Sequence, residues 1–327
     1  AFYPSYQTLQ ILYGYWGFTS VFLFWGAMIK ATRLWGGDNT QGKAFGFLDG
    51  GRGIVAASMG SIGVFVFTIV LTSDIESASV LERQEAFRYV ILLSSFMVAF
   101  IGLLVLIFLR NMEDKNTNFE LPLNTLTNIK GVLKNESIWL LMLIIMCAYV
   151  GYKVTDIYSL YASEVMLYDQ IEAAEVGALQ LYLRPIVCIA IGLLADRTKN
   201  MFWIIFGFVT MLIGALIFSF GIIKPDMNFI FFLSLVILAV GTYSIRALYF
   251  AVLKEANVAF ALTGTAVGII SVVGYSPDIF AGPIMGYLLD ENPGIIGHQY
   301  VYFMLVIFSI IGLIASIRFA RLTKPSG

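Results

Sequence analysis

The stretch YVILLSSFMVAFIGLLVLIFL, residues Tyr89–Leu109, decides the fold class of this chain. Its 21 residues carry no charge, and about 20 apolar residues form a helix long enough to cross the ~30 Å hydrocarbon layer of a bilayer. A transmembrane strand would alternate apolar and polar residues over about ten positions, and this stretch shows no such alternation. The stretch therefore predicts a membrane-spanning helix.

The composition of the whole chain extends this prediction. Hydrophobic residues make up 59% of the 327 residues and charged residues only 13%, and the mean hydropathy is +0.85. A chain of this composition cannot bury its apolar surface in a core of its own, so we expect the lipid bilayer to surround it. The apolar runs predict an all-α, polytopic transmembrane helix bundle with nine spans, approximately 8–29, 45–72, 87–109, 137–161, 173–195, 201–223, 228–252, 259–286 and 299–319.

Lysine and arginine are distributed unevenly over the predicted loops. When alternate loops are assigned to one side, that side holds thirteen of the 20 basic residues, and the other side holds Arg83, Arg88 and Lys224. Because basic loops stay in the cytoplasm, we expect a multi-pass protein of the cell (inner) membrane with a cytoplasmic C-terminus. The net charge of -1 offers no basic surface for nucleic acid, so no nucleic-acid partner is expected.

The longest polar connection divides three spans from six. It predicts a cytoplasmic linker over residues 111–136, between one domain at 1–110 and another at 137–327. Within the linker, apolar residues recur at helical spacing, which predicts a short amphipathic helix along the membrane surface: Leu126, Ile129, Val132 and Leu133.

An internal repeat relates the two domains. Residues Gly17–Lys30 align without gaps on Gly241–Lys254, and Gly, Ser, Ala and Lys coincide. Both copies run in the same direction across the membrane, so the repeat is parallel. If the first span corresponds to the seventh, three further spans precede it. We therefore expect a fragment of a twelve-span protein, with a partial N-terminal half at 1–110 and a six-helix C-terminal half at 137–327.

Two short motifs resemble a known family. Gly192-Leu193-Leu194-Ala195-Asp196-Arg197-Thr198-Lys199 resembles the Gly-xxx-Asp-Arg loop signature of the major facilitator superfamily, although the basic run that usually closes the motif is reduced to Lys199. Gly42-Lys43-Ala44-Phe45-Gly46 is similar to the entry of that family's fifth helix. The resemblance covers the whole chain as helices four to twelve, so nine of twelve spans would be present. It implies a secondary transporter of a small solute.

One face of the span after the linker carries polar residues. Tyr149, Tyr152, Lys153, Asp156 and Ser159 follow one another at steps of three, one, three and three residues, so they share a helix face. Ionisable groups in a membrane cost about 2.5 to 3.5 kcal/mol and usually face a cavity or a partner. We interpret the two tyrosines, Lys153 and Asp156 as substrate-binding residues. A structural ion pair between Lys153 and Asp156 is the alternative.

Two arginines near the middle of the membrane are further candidates. Arg184 has no carboxylate one turn away on its own span, so it pairs with another helix or holds an anionic substrate. Arg246 lies two turns from Lys254, with Tyr243 beside it, and extension of its side chain to the cytoplasm is the alternative to a cavity role. We assign Arg184, Tyr243 and Arg246 to substrate binding.

A set of charged residues is assigned to coupling or gating. Asp278 follows Pro277, and a proline interrupts the helix ladder, which is tolerated at membrane depth only against protein or water. Asp278 is a candidate partner of Lys153 or carrier of a coupling proton. Asp49 and Arg52, one turn apart, predict a gate or a structural pair. Asp196 in the loop motif, which also contains Arg197, is expected to pair with Arg52 when the cytoplasmic side is closed.

These residues favour a secondary active transporter of a small anionic organic solute that works by alternating access. A carrier of a neutral sugar or drug-like solute is one alternative, and it requires the four intramembrane cations to pair with protein carboxylates. A non-transporting solute sensor is another. We expect no enzymatic activity, because no catalytic constellation is present, and neither a cofactor nor a metal site, since His298 is the one histidine. The expected partners are the solute, the bilayer and possible coupling species: protons or a counter-transported ion.

Overall fold

The computed structural model describes residues 5–70, 79–108 and 125–323, and its regular structure over these ranges is helical throughout. The all-α fold predicted from the sequence is therefore confirmed. The α-helices are α1 (Tyr6–Phe18), α2 (Gly26–Gly36), α3 (Gln41–Val70), α4 (Val80–Phe108), α5 (Thr125–Leu133), α6 (Glu136–Val154), α7 (Tyr158–Glu164), α8 (Gln170–Asp196), α9 (Asn200–Ser219), α10 (Asn228–Leu248), α11 (Thr263–Gly274), α12 (Pro277–Glu291) and α13 (Ile295–Leu322).

Eight helical stretches in the described part of the chain are long and apolar enough to cross a membrane. Six of them follow the linker, as expected for the C-terminal domain, and α3 and α4 precede it. The first predicted span, 8–29, coincides with α1, a π-helix at Thr19–Trp25 and the start of α2. Residues 111–124 of the predicted linker lie outside the described residues, and the predicted amphipathic helix is present as α5.

Two of the six C-terminal spans are interrupted near their middle. A 3₁₀ segment, Thr155–Ile157, joins α6 to α7, and a mid-helix segment of this kind often marks a hinge. Between α11 and α12 the chain turns at Tyr275 and restarts at Pro277, whose missing N–H costs nothing at the first position of a helix. The predicted interruption next to Asp278 is therefore present.

The chain contacts define two compact units. One contains residues 1–17 and 54–121, and the other contains residues 18–53 and 122–327. The second unit has a continuous apolar core, at whose centre the rings of Tyr161, Phe218, Phe231 and Tyr302 pack against one another. In α4, by contrast, only Ala86 is buried among the described residues. The long apolar side chains of α4 are exposed, as is usual for a surface that lipid covers.

Glycines on α3 explain why residues 41–53 belong to the second unit. A Cβ atom on Gly46 would lie 2.6 Å from the carbonyl oxygen of Cys188 and 2.9 Å from Cα of Gly192. A Cβ on Gly42 would lie 2.7 Å from the carbonyl oxygen of Gly192. These distances are too short for any side chain, so the glycines let the backbones of α3 and α8 touch. This glycine contact holds the start of α3 against the end of α8.

Candidate functional site

The centre of the site is an ion pair between α3 and α8. The guanidinium of Arg184 donates to both oxygens of Asp49, at 2.8 Å from Nη2 to Oδ1 and 3.3 Å from Nε to Oδ2. Both side chains are buried, with exposed fractions of 9% and 7%. Two parallel N–H···O bonds of this kind fix the geometry of a guanidinium and a carboxylate more firmly than a single contact. The sequence prediction that Arg184 needs a partner on another helix or in a ligand is met by Asp49 in this conformation.

Two further arginines approach the same carboxylate. Arg246 on α10 is 3% exposed, and its Nε lies 3.7 Å from Oδ2 of Asp49, which is beyond hydrogen-bond distance. Arg52, one turn along α3, donates from Nη1 to Oδ1 at 3.2 Å, and its side chain is 39% exposed. We call Arg52, Arg184 and Arg246 the arginine cluster; its three cations surround one carboxylate.

Arg246 also has buried donors without acceptors. Among the residues that the structure describes, neither its Nε nor its Nη1 has a hydrogen-bond partner. Its guanidinium instead stacks on Tyr152, with Cζ 3.9 Å from the ring centroid, and lies 5.6 Å from the ring of Tyr149. An aromatic face attracts a cation but does not satisfy N–H donors in the guanidinium plane. The edge of Arg246 is therefore suited to an additional acceptor.

A second group of charges lies beside the arginine cluster, on the other side of Tyr149. Lys153 Nζ is 2.9 Å from Oδ2 of Asp156 and 3.8 Å from Oδ1 of Asp278 on α12. The hydroxyl of Tyr149 donates to Oδ2 of Asp278 at 3.0 Å. Tyr149 thus contacts both charge groups, since its ring lies beside Arg246. The candidate partnership of Lys153 with Asp278 is found, and so is the alternative pair with Asp156.

Tyr243 is less directly involved in the cluster than the sequence suggested. Its hydroxyl lies 3.5 Å from Oε1 of Gln180, at the limit of a hydrogen bond, and its carbonyl oxygen lies 3.6 Å from Sγ of Cys188. The Cys188 thiol also donates to Oδ2 of Asp49 at 3.4 Å. Cys188 was not among the candidate site residues of the sequence analysis. Its position one turn after Arg184 on α8 is the signal that would have placed it in the site.

Trp25 and Tyr275 are the other site residues that sequence analysis missed. The indole of Trp25 donates to the hydroxyl of Tyr275 at 2.7 Å, and that hydroxyl lies 3.2 Å from the hydroxyl of Tyr249. The Arg52 guanidinium stacks on the Trp25 ring at 4.7 Å. These contacts connect α11 and α10 to the π-helix at Thr19–Trp25. Because lone aromatic residues are common in every span, no sequence signal distinguishes these two.

Asp196 contacts a helix terminus instead of the expected side chain. Its oxygens accept the backbone N–H groups of Gly42 at 2.7 Å and Lys43 at 2.8 Å, at the start of α3. The expected pairing with Arg52 is replaced in this conformation by this cap and by the Arg52–Asp49 pair. Arg52 is ten residues beyond Gly42, about 15 Å along the helix, which is too far for one carboxylate to reach both. Arg197, the next residue, is exposed at the end of α8.

His298, the one histidine of the sequence, lies inside α13 and is completely buried, with Nε2 3.0 Å from Oε2 of Glu164 at the end of α7. The helix starts at Ile295, after Gly294 with φ of 77°, because a glycine adopts this left-handed backbone without strain. The pair belongs to the aromatic core around Tyr161 and lies apart from the arginine cluster.

The fold and this ionic site define a polytopic α-helical membrane protein whose spans enclose charged groups. Residues 1–281 match the family model described as Major Facilitator Superfamily, so the chain belongs to that superfamily, a family of membrane transporters. The chain is 24% identical over 330 residues to inner membrane protein YihN of Escherichia coli K12. The aligned region covers 97% of this chain and 75% of YihN.

Two further relatives have similar coverage. Inner membrane protein YqcE of Escherichia coli K12 is 24% identical over 313 residues, which are 93% of this chain and 71% of YqcE. The uncharacterized protein MG294 homolog of Mycoplasma pneumoniae is 23% identical over 331 residues, which are 93% of this chain and 68% of that protein. The resemblance to the major facilitator superfamily inferred from the loop motif is thereby confirmed.

Proposed function

We propose that this protein is a secondary active transporter that carries a small anionic organic solute across the cell membrane by alternating access. The observation that supports the anionic substrate is the charge of the arginine cluster: three guanidiniums share the single carboxylate of Asp49. An unbalanced charge is expensive inside a membrane protein, and a bound anion would neutralise it. The unused donors of Arg246 would hydrogen-bond that anion.

The surrounding residues have complementary roles in this proposal. Arg184 and Arg246 bind the anionic group, and the aromatic walls of Tyr149 and Tyr152, with Tyr243 nearby, determine the shape of the site. Lys153 and Asp156 form an ion pair that can exchange partners with Asp278, which is also the candidate carrier of a coupling proton. Flux measurements with and without a proton gradient distinguish a coupling proton from a counter-transported ion.

A neutral solute is the competing proposal, and one observation favours it. Each of the four intramembrane cations, Arg52, Lys153, Arg184 and Arg246, lies within 4.0 Å of a protein carboxylate. Proximity does not neutralise charge, however, because Asp49 supplies one negative charge to three positive ones. Lys153 has the opposite balance, with two carboxylates. The charge count therefore favours an anion at the arginine cluster.

The orientation of the chain is part of the proposal. The thirteen basic loop residues support an orientation in which the C-terminus, the Asp196 cap and the start of α3 lie at the cytoplasmic end of the bundle. The glycine contact lies at that end, so α3 and α8 are in contact there in this conformation. Alternating access then requires α3 and α8 to separate at some stage of the cycle.

The test is uptake into proteoliposomes that contain the purified protein. A panel of labelled carboxylates, sulfonates, phosphate esters, neutral sugars and lipophilic cations is compared, with and without an imposed proton gradient. Saturable uptake of at least one anion is expected. Uptake confined to neutral compounds would support the competing carrier, and binding of a ligand without any flux would support a solute sensor.

A further inference from the structure

Among the residues that the structure describes, Asp49 links α3 to α8 and α10 through two arginines for which an anionic substrate would compete. The Asp196 cap and the contact of Gly42 and Gly46 also join α3 to α8, and neither involves a residue assigned to substrate binding. Asp49, in contrast, contacts Arg184 and Arg246, the two arginines assigned to the substrate. A substrate anion and the Asp49 carboxylate therefore have the same partners.

We infer that Asp49 acts as an internal counterion that occupies the place of the substrate's anionic group, and that displacement of Asp49 by the substrate releases α3 from α8 and α10. The inference rests on the proposed function, since it needs an anionic substrate. It goes further because it names the event that opens the cytoplasmic side: the substrate anion replaces the carboxylate of Asp49 at Arg184 and Arg246.

The charge balance makes this exchange feasible. Removing Asp49 from Arg184 without replacement would leave buried guanidiniums without a counterion, which is strongly unfavourable. Exchange for an incoming anion keeps the negative charge at the same place. It also provides an acceptor for the Nε and Nη1 donors of Arg246, which Asp49 leaves unused. The substrate is therefore the better partner of the two arginines, and it favours the conformation in which Asp49 has withdrawn.

Arg52 remains as a counterion for the Asp49 carboxylate after the substrate has displaced it. It sits one turn from Asp49 on α3 and already donates to Oδ1 at 3.2 Å. Because both residues belong to the same helix, this pair remains intact when α3 moves. Arg52 is more exposed than the other two arginines, and its stacking on Trp25 stays within the segment 18–53. Asp49 is thus never left as an unpaired charge, which explains why a third arginine is present.

The experiment measures how accessible the α3–α8 contact is from the cytoplasm. Ala195 is buried, and its Cβ lies 3.0 Å from the position of a Cβ on Gly42, so α3 covers it. The reporter is Ala195→Cys in the full chain, with Cys147→Ala and Cys188→Ser to remove the native thiols. Labelling by a membrane-impermeant maleimide is followed in vesicles whose cytoplasmic face points outward. Inorganic phosphate, sulfate and gluconate serve as probe anions, and their binding is measured by calorimetry on the purified protein.

With Asp49 present, at least one probe anion is expected to accelerate labelling. Asp49→Asn should raise the labelling rate about tenfold without any anion, since a charge-assisted link has been removed, and added anion should have no further effect. The same variant should bind the anion more tightly, because its internal competitor is absent. Asp38→Asn is the matched control: it removes the exposed Lys254–Asp38 pair at the same end, and the anion effect should persist.

Arg52→Gln provides a second variant if Asp49→Asn does not fold. It should reduce the acceleration by anion relative to its own labelling rate without anion, because the displaced carboxylate loses its partner. If anions bind the parent protein but leave labelling unchanged or slow it, the inference is wrong while the proposed function stands. Equal anion affinity of the parent and Asp49→Asn proteins would also show that the inference is wrong while the proposed function stands. Failure of every probe anion to bind either protein contradicts the proposed function itself, and the inference with it.

Discussion

Asp196 caps the start of a helix that is distant in sequence: its carboxylate lies 2.7 Å from the backbone nitrogen of Gly42. The first N–H groups of a helix have no partners within it and carry a partial positive charge, so a carboxylate there is doubly favourable. The aspartate of the loop motif therefore fastens the end of α8 to the start of α3. It does so through the backbone N–H groups of Gly42 and Lys43.

Replacement of Asp196 by Asn should loosen this contact. The amide keeps one acceptor but loses the charge and the second acceptor, and a cap of this kind contributes about 1 kcal/mol. The cytoplasmic side should open more often, and labelling of Ala195→Cys should rise about fivefold. Asp226→Asn, an exposed loop acid, serves as the control. Unchanged labelling would reduce the motif to a local loop anchor.

Arg184→Gln should abolish uptake of the transported anion and leave expression and helix content intact. Gln keeps much of the bulk of arginine but removes the charge and the paired donors. Arg184→Lys keeps the positive charge but lacks the two parallel N–H donors of the guanidinium, so it should retain weak transport with a raised KM. Arg321→Gln, an exposed arginine in the last turn of α13, controls for the loss of one positive charge. Normal uptake by Arg184→Gln would remove the main support for an anionic substrate.

Gly46→Ala should disturb the contact of α3 with α8. The new Cβ would lie 2.6 Å from the carbonyl oxygen of Cys188, so the helices must move apart, at a cost of about 1 to 3 kcal/mol. Transport should fall, and Ala195→Cys should become more reactive. Gly51→Ala is the matched control on the same helix, since nothing lies within 4 Å of its Cβ. Equal effects of the two substitutions would show that helix propensity, and not close packing, matters at these positions.

The spans were predictable because membrane hydropathy is a local property of the sequence. The six C-terminal helices, the break at Pro277 and the surface helix α5 all follow from runs of residues that are adjacent in the chain. The ends were less accurate: α3 begins at Gln41, earlier than the predicted residue 45, because polar residues continue the helix outside the hydrocarbon layer. The polar first turn of α3 is the part that Asp196 caps.

Pairing across helices could be predicted only partly. Sequence spacing shows that Arg184 has no carboxylate one turn away on its own helix, but nothing local identifies Asp49, 135 residues earlier, as its partner. Lys153 and Asp156 are one turn apart, so their pair was foreseeable. Cys188 could have been found from its position one turn after Arg184, but Trp25 and Tyr275 gave no signal because single aromatic residues occur in many spans. Their roles depend on which helices are neighbours, and periodicity does not contain that information.

Tyr152 tests whether the aromatic face or the hydroxyl matters for the arginine cluster. The Arg246 guanidinium stacks on its ring at 3.9 Å, an interaction of about 1 kcal/mol. Tyr152→Phe keeps the ring and should transport almost normally. Tyr152→Leu removes it and should raise the KM about fivefold, because Arg246 is no longer held in position. A large loss of transport in Tyr152→Phe would indicate instead that the hydroxyl contacts the solute.

Glu255 gives a prediction about pH outside the membrane spans. It follows α10, lines a cavity of about 670 Å³ with Asn200, and accepts a hydrogen bond from Nδ2 of Asn200 at 3.2 Å. Burial raises its pKa above the usual value of 4.5, although the bond from Asn200 and the charge of Lys199 oppose the rise. At neutral pH the buried carboxylate of such an acid is ionised, and its desolvation lowers the free energy of unfolding. Protonation at lower pH removes this destabilisation.

Glu255→Gln should therefore raise the Tm of the detergent-solubilised protein at pH 7.5, because Gln keeps an acceptor for Asn200 and carries no charge to bury. The Tm difference from the parent should shrink as the pH falls through the raised pKa of Glu255 towards 4.5, where the parent becomes protonated too. Glu291→Gln, an exposed acid at the end of α12, is the control and should show no such trend. A Tm difference that is constant from pH 5 to 7.5, or grows on acidification, would mean that burial does not set the charge state of Glu255.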